Sequence, residues 1–127
     1  MGYRSVVEAV FYTRDEEQAP LLKLYVDENF PRNEELRECL SPINAPKVWG
    51  YHFICEDVKW YESYTFVKEY NEFVEKFHKL LIEHERTQPT WAYEFVRLGE
   101  QSDDVEEHRS DNAEFILSVR REIELSF

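Results

Sequence analysis

Glycine is scarce in this sequence of 127 residues: only Gly2, Gly50 and Gly99 occur. The loops that cradle phosphate groups in P-loop and dinucleotide-binding proteins need several closely spaced glycines, because the backbone must approach the phosphates. Three isolated glycines therefore exclude both kinds of nucleotide site. The sequence also lacks the Gly-x-Ser-x-Gly motif of serine hydrolases and the His-Glu-x-x-His motif of zinc proteases. It contains no recognised catalytic motif.

Cysteine is also rare: only Cys39 and Cys55 occur. Two cysteines are too few for a disulfide framework in a chain of this length, and neither belongs to a Cys-x-x-Cys pair or a cysteine–histidine cluster. Cys55 lies in an apolar run typical of a β-strand, so we expect it to be a small buried hydrophobic residue. We expect a protein of the reducing cytosol.

Long apolar segments are also missing. No run of about 18 apolar residues occurs, so we expect no membrane-spanning segment, and the first residues lack the apolar stretch of a signal peptide. Gly2 suggests N-myristoylation, but that motif requires Ser or Thr at the position of Val6. These absences predict a cytoplasmic protein that does not bind membranes.

Negative charge dominates the composition: 27 acidic residues against 15 Lys and Arg give a net charge of −12. A field of this sign repels phosphate backbones and anionic lipid surfaces, so we expect no direct binding to nucleic acid or membrane. It attracts a partner with a basic surface. The alternative is that the charge only keeps the protein soluble.

Hydrophobic residues make up 43% of the chain and follow the patterns of regular structure. Alternation of apolar and polar residues predicts four strands, the last of them interrupted at Arg121. In the second strand the alternation changes phase at Glu56-Asp57, which predicts a bulge or a hairpin turn. The four strands cover residues 3–12, 47–61, 90–98 and 115–127.

One long helix is predicted between residues 64 and 84, where the apolar residues repeat about every 3.6 positions. A helix with one wide apolar face needs another apolar surface to cover it, so we expect it to pack on the sheet. Its apolar stripe consists of Val67, Tyr70, Val74, Phe77 and Leu81.

The segment from residue 20 to residue 40 is less regular. Helical spacing links Leu21, Leu22, Tyr25 and Val26 between two prolines, and Asn33 suits the cap of a second short helix through Leu40. The stretch 22–26 fits a strand as well. The sequence therefore leaves open whether residues 20–40 are helical throughout.

The predicted order β, α, β, α, β, β indicates a single α+β domain over residues 1–127. We expect a two-layer sandwich, with helices on one face of a mostly antiparallel sheet of four or five strands. The sheet is expected to contain residues 3–12, 47–55, 90–98 and 115–125.

Residues 100–114 are predicted to form a polar loop, in which seven acids and one base, Arg109, give a charge of −6. The spacing of the acids does not match an EF-hand, which has glycine at its sixth position. A solvated loop is the simplest interpretation. A second is that its carboxylates imitate DNA phosphates and bind a basic partner.

Three short segments, which follow one another in order over most of the chain, form a pattern when taken together. They are Met-Gly-Tyr-Arg-Ser at 1–5, Val-Lys-Trp-Tyr-Glu at 58–62, and Tyr-Glu-Phe-Val-Arg-Leu-Gly-Glu at 93–100 with acids trailing through 102–106. The pattern resembles a family of small uncharacterised proteins of tailed bacteriophages and prophages; residues 13–47 fall outside the resemblance. It implies a setting in the cytoplasm of a bacterial host, and it carries no active site over to this chain.

The segments that carry the resemblance are the first place to look for a binding surface. Lys59 and Arg97 are bases in segments that we expect in neighbouring strands. Each has acids within reach across the sheet, namely Glu62, Glu94 or Glu100.

Two interpretations of these residues stay open. They form a recognition patch for a partner, or they maintain the fold, with Trp60 in the core and Gly99 in a turn that needs positive φ. The predicted partner-binding set is Lys59, Trp60, Tyr61, Arg97, Glu100, Asp103, Asp104, Glu106 and Glu107.

The function that these observations favour is that of a non-enzymatic phage accessory protein without a cofactor. It would bind and inhibit a host protein with a basic surface, in the favoured form a factor that handles nucleic acid. One alternative is an enzyme that holds a divalent metal at Glu100, Asp103 and Asp104. Another is an immunity-type inhibitor of a basic toxin. The sequence does not indicate an oligomeric state.

Overall fold

The computed structural model of this chain describes residues 4–83, 90–101, 103–119 and 123–127. Within these ranges the chain forms three helices and seven strands. The helices are α1 (Ala19–Asn29), α2 (Glu34–Glu38) and α3 (Thr65–Glu83). The strands are β1 (Ser5–Thr13), β2 (Leu40–Pro42), β3 (Trp49–Val58), β4 (Trp91–Leu98), β5 (Val105–Arg109), β6 (Leu117–Val119) and β7 (Ile123–Leu125). Residue 3, the predicted start of the first strand, and Arg121 lie outside the described residues.

The centre of the fold is a five-stranded antiparallel sheet with the order β2-β3-β1-β4-β5. β1 lies in the middle, and every residue from Val7 to Thr13 is buried. A strand covered on both faces needs apolar side chains on both, which explains its nearly continuous apolar sequence. The predicted α+β fold with a mostly antiparallel sheet is confirmed.

β3 contains the predicted irregularity. The register of β1 against β3 shifts between Ser5 and Val7, so that two residues of β3, Glu56 and Asp57, lie opposite one residue of β1. Asp57 adopts a positive φ of 52°, which lets the extra residue leave the pleat. The feature is a bulge, and β3 continues through it.

One glycine is required by the sheet itself. Gly50 in β3 has a φ of +142°, and a Cβ at this position would overlap the carbonyl oxygen of Phe11 in β1. The interpretation of fold maintenance expected a positive φ at Gly99, but the φ of Gly99 is not positive. That expectation is wrong.

The helices cover one face of the sheet. Val67, Tyr70 and Phe77 of the predicted stripe are buried in this layer, and Val74 and Leu81 are partly buried beside them. The Phe77 ring lies 5.5 Å from the ring of Phe11 in the central strand, measured between centroids. The predicted packing of α3 on the sheet is confirmed. The segment 20–40 divides into α1, α2 and the first residue of β2.

The C-terminal residues do not join the main sheet as predicted. β6 and β7 form a separate two-stranded hairpin. Ile116 and Leu117 are buried against Val10 and Val96 on the face of the sheet opposite the helices. Apolar alternation correctly predicted strands here. The prediction was wrong about what these strands pack against. The second face of the main sheet is itself apolar, so the hairpin covers this face instead of joining the sheet.

A buried carboxylate holds the C-terminal segment on that face. The side chain of Glu94 is fully buried, and its Oε2 accepts hydrogen bonds from the Tyr12 hydroxyl at 2.7 Å and the Ile116 N–H at 2.9 Å. Its Oε1 accepts from the Leu117 N–H at 3.0 Å and from the Arg109 Nε at 3.3 Å. Four donors therefore share one carboxylate.

The predicted polar loop 100–114 contains a strand. β5 pairs with β4 in register, with Arg97 opposite Glu106 and Glu94 opposite Arg109. A charged strand at the edge of a sheet exposes polar side chains on both faces, so it lacks the apolar alternation used to recognise strands. The loop prediction is wrong for residues 105–109.

Cys39 and Cys55 form a disulfide, so the expectation of reduced thiols is also corrected. Cys39 ends α2 and Cys55 lies in β3, with their Cα atoms 5.6 Å apart. The strand register brings the two cysteines close to each other, because Leu40 pairs with Phe53 and the backbone N–H of Ile54 donates to the carbonyl oxygen of Cys39. Cys55 is buried as predicted. Within the described residues, no helix has both the length and the apolar content needed to cross a bilayer.

Candidate partner-binding surfaces

The predicted Lys-Trp-Tyr element follows β3 and leads towards α3. Trp60 packs against the helix-side core, with its ring centroid 5.3 Å from that of Tyr70 and 6.3 Å from that of Phe95. Lys59 and Tyr61 on either side are half-buried. Trp60 thus contributes to packing, as the interpretation of fold maintenance expects.

Arg97 organises the acidic residues next to it. Its two terminal nitrogens bind both carboxylate oxygens of Asp104, at 2.8 and 3.2 Å, and its Nε binds Glu106 at 3.1 Å. Bidentate pairing of this kind fixes geometry as well as charge. The hydrogen bond to Asp104, opposed by burial, raises the pKa of Arg97. The acids that we predicted across the sheet were different ones: Glu62, Glu94 and Glu100.

Glu106 links Arg97 to a histidine. Its second oxygen lies 2.7 Å from the Nε2 of His108. Burial raises the pKa of Glu106, but the hydrogen bonds from His108 and Arg97 together outweigh burial and leave the pKa below its ordinary value of 4.5. The charged form of Glu106 is therefore stabilised by the fold.

This network predicts a contribution to stability near neutral pH that is lost at acid pH. Because the folded pKa of Glu106 is lowered, its stabilisation is present above the unfolded pKa and is lost as pH falls through the folded pKa. As the pH is lowered from about 6 to about 3, we expect the free energy of unfolding to fall less for Glu106→Gln than for the parent. The difference should be less than about 1 kcal/mol, because Glu106 is partly exposed. Urea denaturation across this range measures it. Glu75→Gln on the exposed side of α3 is the control; equal pH dependence of Glu106→Gln and the parent would contradict the prediction.

Three other acids of the segment 100–114 also have partners within the fold. The contacts are Glu107 with Arg109 at 2.9 Å, Glu114 with Arg14 at 2.8 Å, and Glu100 with the backbone N–H of Arg4 at 2.6 Å. Asp103 is exposed. Arginines therefore offset much of the local negative charge. The contacts of these acids give little support to the hypothesis that they form an open row of carboxylates that imitates DNA phosphates. Binding of a partner by the predicted set stays a prediction.

The predicted metal site gains no support from this geometry. In the part of the chain that the structure describes, no group of three or more His, Cys, Asp or Glu side chains is placed to hold a metal ion. Both oxygens of Asp104 already face Arg97.

A groove between α1 and α3 was not predicted. It has a volume of about 490 Å³ and mostly apolar walls. Two leucines at its rim are largely exposed, Leu21 at 55% and Leu24 at 54%. The walls also include Tyr25, Glu28, Leu81 and Trp91.

The sequence of α1 explains the groove. Ala19, Leu22 and Val26 turn towards the sheet and are buried, which uses one face of the helix. Leu21 belongs to the apolar positions with helical spacing in the sequence, but its side chain lies outside this buried face. A helix of 11 residues with three leucines carries more apolar surface than one face buries, and this excess is the signal that could have revealed the groove.

The groove and the predicted partner-binding set lie at opposite ends of β4. Trp91 begins the strand at the groove, and Arg97 lies near its other end, beside Asp104. Arg97 is six positions after Trp91 along the strand, a distance of about 20 Å at roughly 3.3 Å per residue. They are therefore two separate surfaces.

Comparison of this chain with protein-family models, curated proteins and solved structures finds no match.

Proposed function

We propose that this protein is a non-enzymatic accessory protein that binds a basic protein of a bacterial host through the groove between α1 and α3. The observation that carries the proposal is the exposed apolar groove on a chain with a net charge of −12. Apolar anchors surrounded by complementary charge are the usual composition of a protein-binding surface.

The groove supplies the affinity in this proposal. Leu21 and Leu24 flank a floor of Tyr25 and Trp91, so a partner's apolar side chain would cover all four. Burying one leucine-sized side chain is worth about 1.5–3 kcal/mol. The Trp91 ring is held in place because its Nε1 donates to Gln18 Oε1 at 3.1 Å and the ring stacks on Phe77. An ordered floor lowers the entropic cost of binding.

The negative charge supplies selection and speed of association. Long-range attraction favours basic surfaces, and proteins that handle nucleic acid carry such surfaces. The resemblance to proteins of tailed bacteriophages supports a host factor as the partner. Occupation of a basic surface by an acidic protein would inhibit that factor.

The groove predicts the effect of two substitutions. We expect Leu24→Ser and Leu21→Ser, at exposed positions, to leave the fold intact and to weaken partner binding at least tenfold together, which corresponds to about 1.4 kcal/mol. The measurement is capture from a bacterial lysate with the tagged protein, followed by titration of the recovered partner. Raising salt from about 50 to about 300 mM should weaken binding further, since this range changes screening strongly.

Three charge reversals of equal size separate the surfaces. Glu28→Lys alters the groove wall, Asp103→Lys alters the acidic segment, and Glu75→Lys alters the exposed side of α3 as the matched control. The proposal expects the largest loss with Glu28→Lys. A larger loss with Asp103→Lys would move the interface to the predicted set. Equal losses at all three positions, or binding that ignores salt and both leucines, would contradict the proposal.

A further inference from the structure

The disulfide between Cys39 and Cys55 borders a cavity that is open to solvent. Both cysteines line this cavity, which has a volume of about 460 Å³ and also touches Tyr64 and Phe66. Cys55 is only 7% exposed, whereas Cys39 is half-buried at the end of α2. A small molecule in the cavity therefore reaches the sulfur of Cys39 more readily.

Acidic groups outnumber basic groups around the disulfide. Glu35, Glu56 and Asp57 line the cavity together with two cations, Arg4 and Lys59. The Nε of Arg4 is directed to Asp57, at 3.9 Å from its carboxylate. One of the two cations is thus already engaged with an acid of the same cavity.

The helix that ends at Cys39 adds to this excess. α2 has the sequence Glu-Glu-Leu-Arg-Glu, and Glu34 and Glu38 are exposed on it. Its single base, Arg37, is directed away to Asp27 and to the carbonyl oxygen of Phe30. The surroundings of the disulfide are therefore net negative.

We propose that Cys39–Cys55 is a thiol–disulfide exchange site that accepts small cationic aminothiols in preference to anionic thiols. The thiolate of the aminothiol attacks the sulfur of Cys39, and the bond between the two protein sulfurs breaks. Cys39 then carries a mixed disulfide, and Cys55 leaves as a thiolate that takes a proton from water. A second aminothiol releases Cys39 as a thiol and leaves as the oxidised dimer. This inference is independent of the proposed partner groove.

The preference has a simple electrostatic origin. An attacking thiolate is itself an anion, so a net negative cavity slows every thiol, and a further negative charge on the reagent slows it more. A protonated amine on the reagent offsets this repulsion. We expect cysteamine to react about tenfold faster than 2-mercaptoethanesulfonate at about 20 mM salt, when both are supplied at equal thiolate concentration. The ratio should approach one at about 500 mM salt.

The first measurement is a count of free thiols in the unfolded protein, prepared without reductant. No free thiol is expected before reduction and two are expected after it; two free thiols before reduction would overturn the proposal. Exchange is then followed on the folded protein by trapping with an alkylating reagent and peptide mass mapping. The aminothiol is expected on Cys39 and the alkyl group on Cys55. The reverse placement, or no reaction until the protein unfolds, would overturn the assignment.

A matched pair of variants tests the role of charge. Glu56→Gln removes one exposed carboxylate from the cavity, and Glu75→Gln removes one from the far side of α3. Only Glu56→Gln should lower the ratio of the cysteamine rate to the sulfonate rate at low salt, by about twofold. Equal ratios in Glu56→Gln, Glu75→Gln and the parent, or a parent ratio of one at low salt, would overturn the proposed selectivity.

Discussion

Replacing Phe77 by alanine is expected to lower the free energy of unfolding by about 3–5 kcal/mol. Phe77 is fully buried, and its ring lies between Phe11 of the central strand and Trp91 of β4, at centroid distances of 5.5 and 6.1 Å. Alanine would leave a cavity where the helix layer meets the sheet. A domain of this size has a total stability of about 5–15 kcal/mol, so the loss is a large share. Guanidinium denaturation measures it.

Two control substitutions show whether that loss comes from the packing of Phe77. Phe77→Leu keeps most of the volume and should cost less than about 1.5 kcal/mol. Glu75→Ala lies two residues away on the exposed side of α3 and should change stability by less than about 0.5 kcal/mol. If Phe77→Ala costs no more than Glu75→Ala, the packing of α3 on the sheet is not as described.

Replacing Glu94 by glutamine is expected to cost about 3–5 kcal/mol, although the two side chains have nearly the same shape. All four partners of this carboxylate are donors, and one of them is the charged Arg109. Burial raises the pKa of Tyr12, so its hydroxyl remains a donor. A glutamine amide would turn its NH2 group towards some of these donors. It would also remove the buried counter-charge of Arg109, which among the described residues would then pair only with the partly exposed Glu107.

The location of this effect distinguishes it from a general loss of stability. The segment that contains Ile116 and Leu117 should detach first, because two of the four hydrogen bonds come from its backbone. Limited proteolysis of Glu94→Gln is therefore expected to cut near the C-terminus before it cuts the sheet. Tyr12→Phe, which removes one donor to the carboxylate, should show a smaller change of the same kind. Cleavage of Glu94→Gln at the same sites and rates as the parent would refute this account of the hairpin.

The elements that the sequence predicts well are those whose pattern reflects local burial. α3 was predicted because a helix packed on one side repeats its apolar residues with the helical period, and Phe77 lies on that stripe. β5 has no such pattern. Its side chains meet Arg97 and Glu94 rather than an apolar layer, so residues 105–109 have the composition of a loop.

The sequence patterns could not predict features that depend on contacts between residues far apart in the chain. Alternation predicted strands near the C-terminus, but it carries no information on whether Leu117 joins a sheet or covers one. The bond between Cys39 and Cys55 depends on the register of β2 against β3. The groove depends on which of the leucines in α1 face the sheet, and helical spacing alone did not separate the buried Leu22 from the exposed Leu21.

The position of β1 at the centre of the sheet has a consequence for folding during synthesis. The ribosome makes Ser5–Thr13 before the other strands of the sheet, and both neighbouring strands, β3 and β4, are made much later. From Thr13 to Leu98 the ribosome must add 85 residues, which takes roughly 4–17 s at about 5–20 residues per second. Throughout this time an apolar strand has at least one unpaired edge, which is the condition under which nascent chains bind chaperones or associate with each other. The yield of folded protein should therefore depend on the rate of translation through residues 14–98.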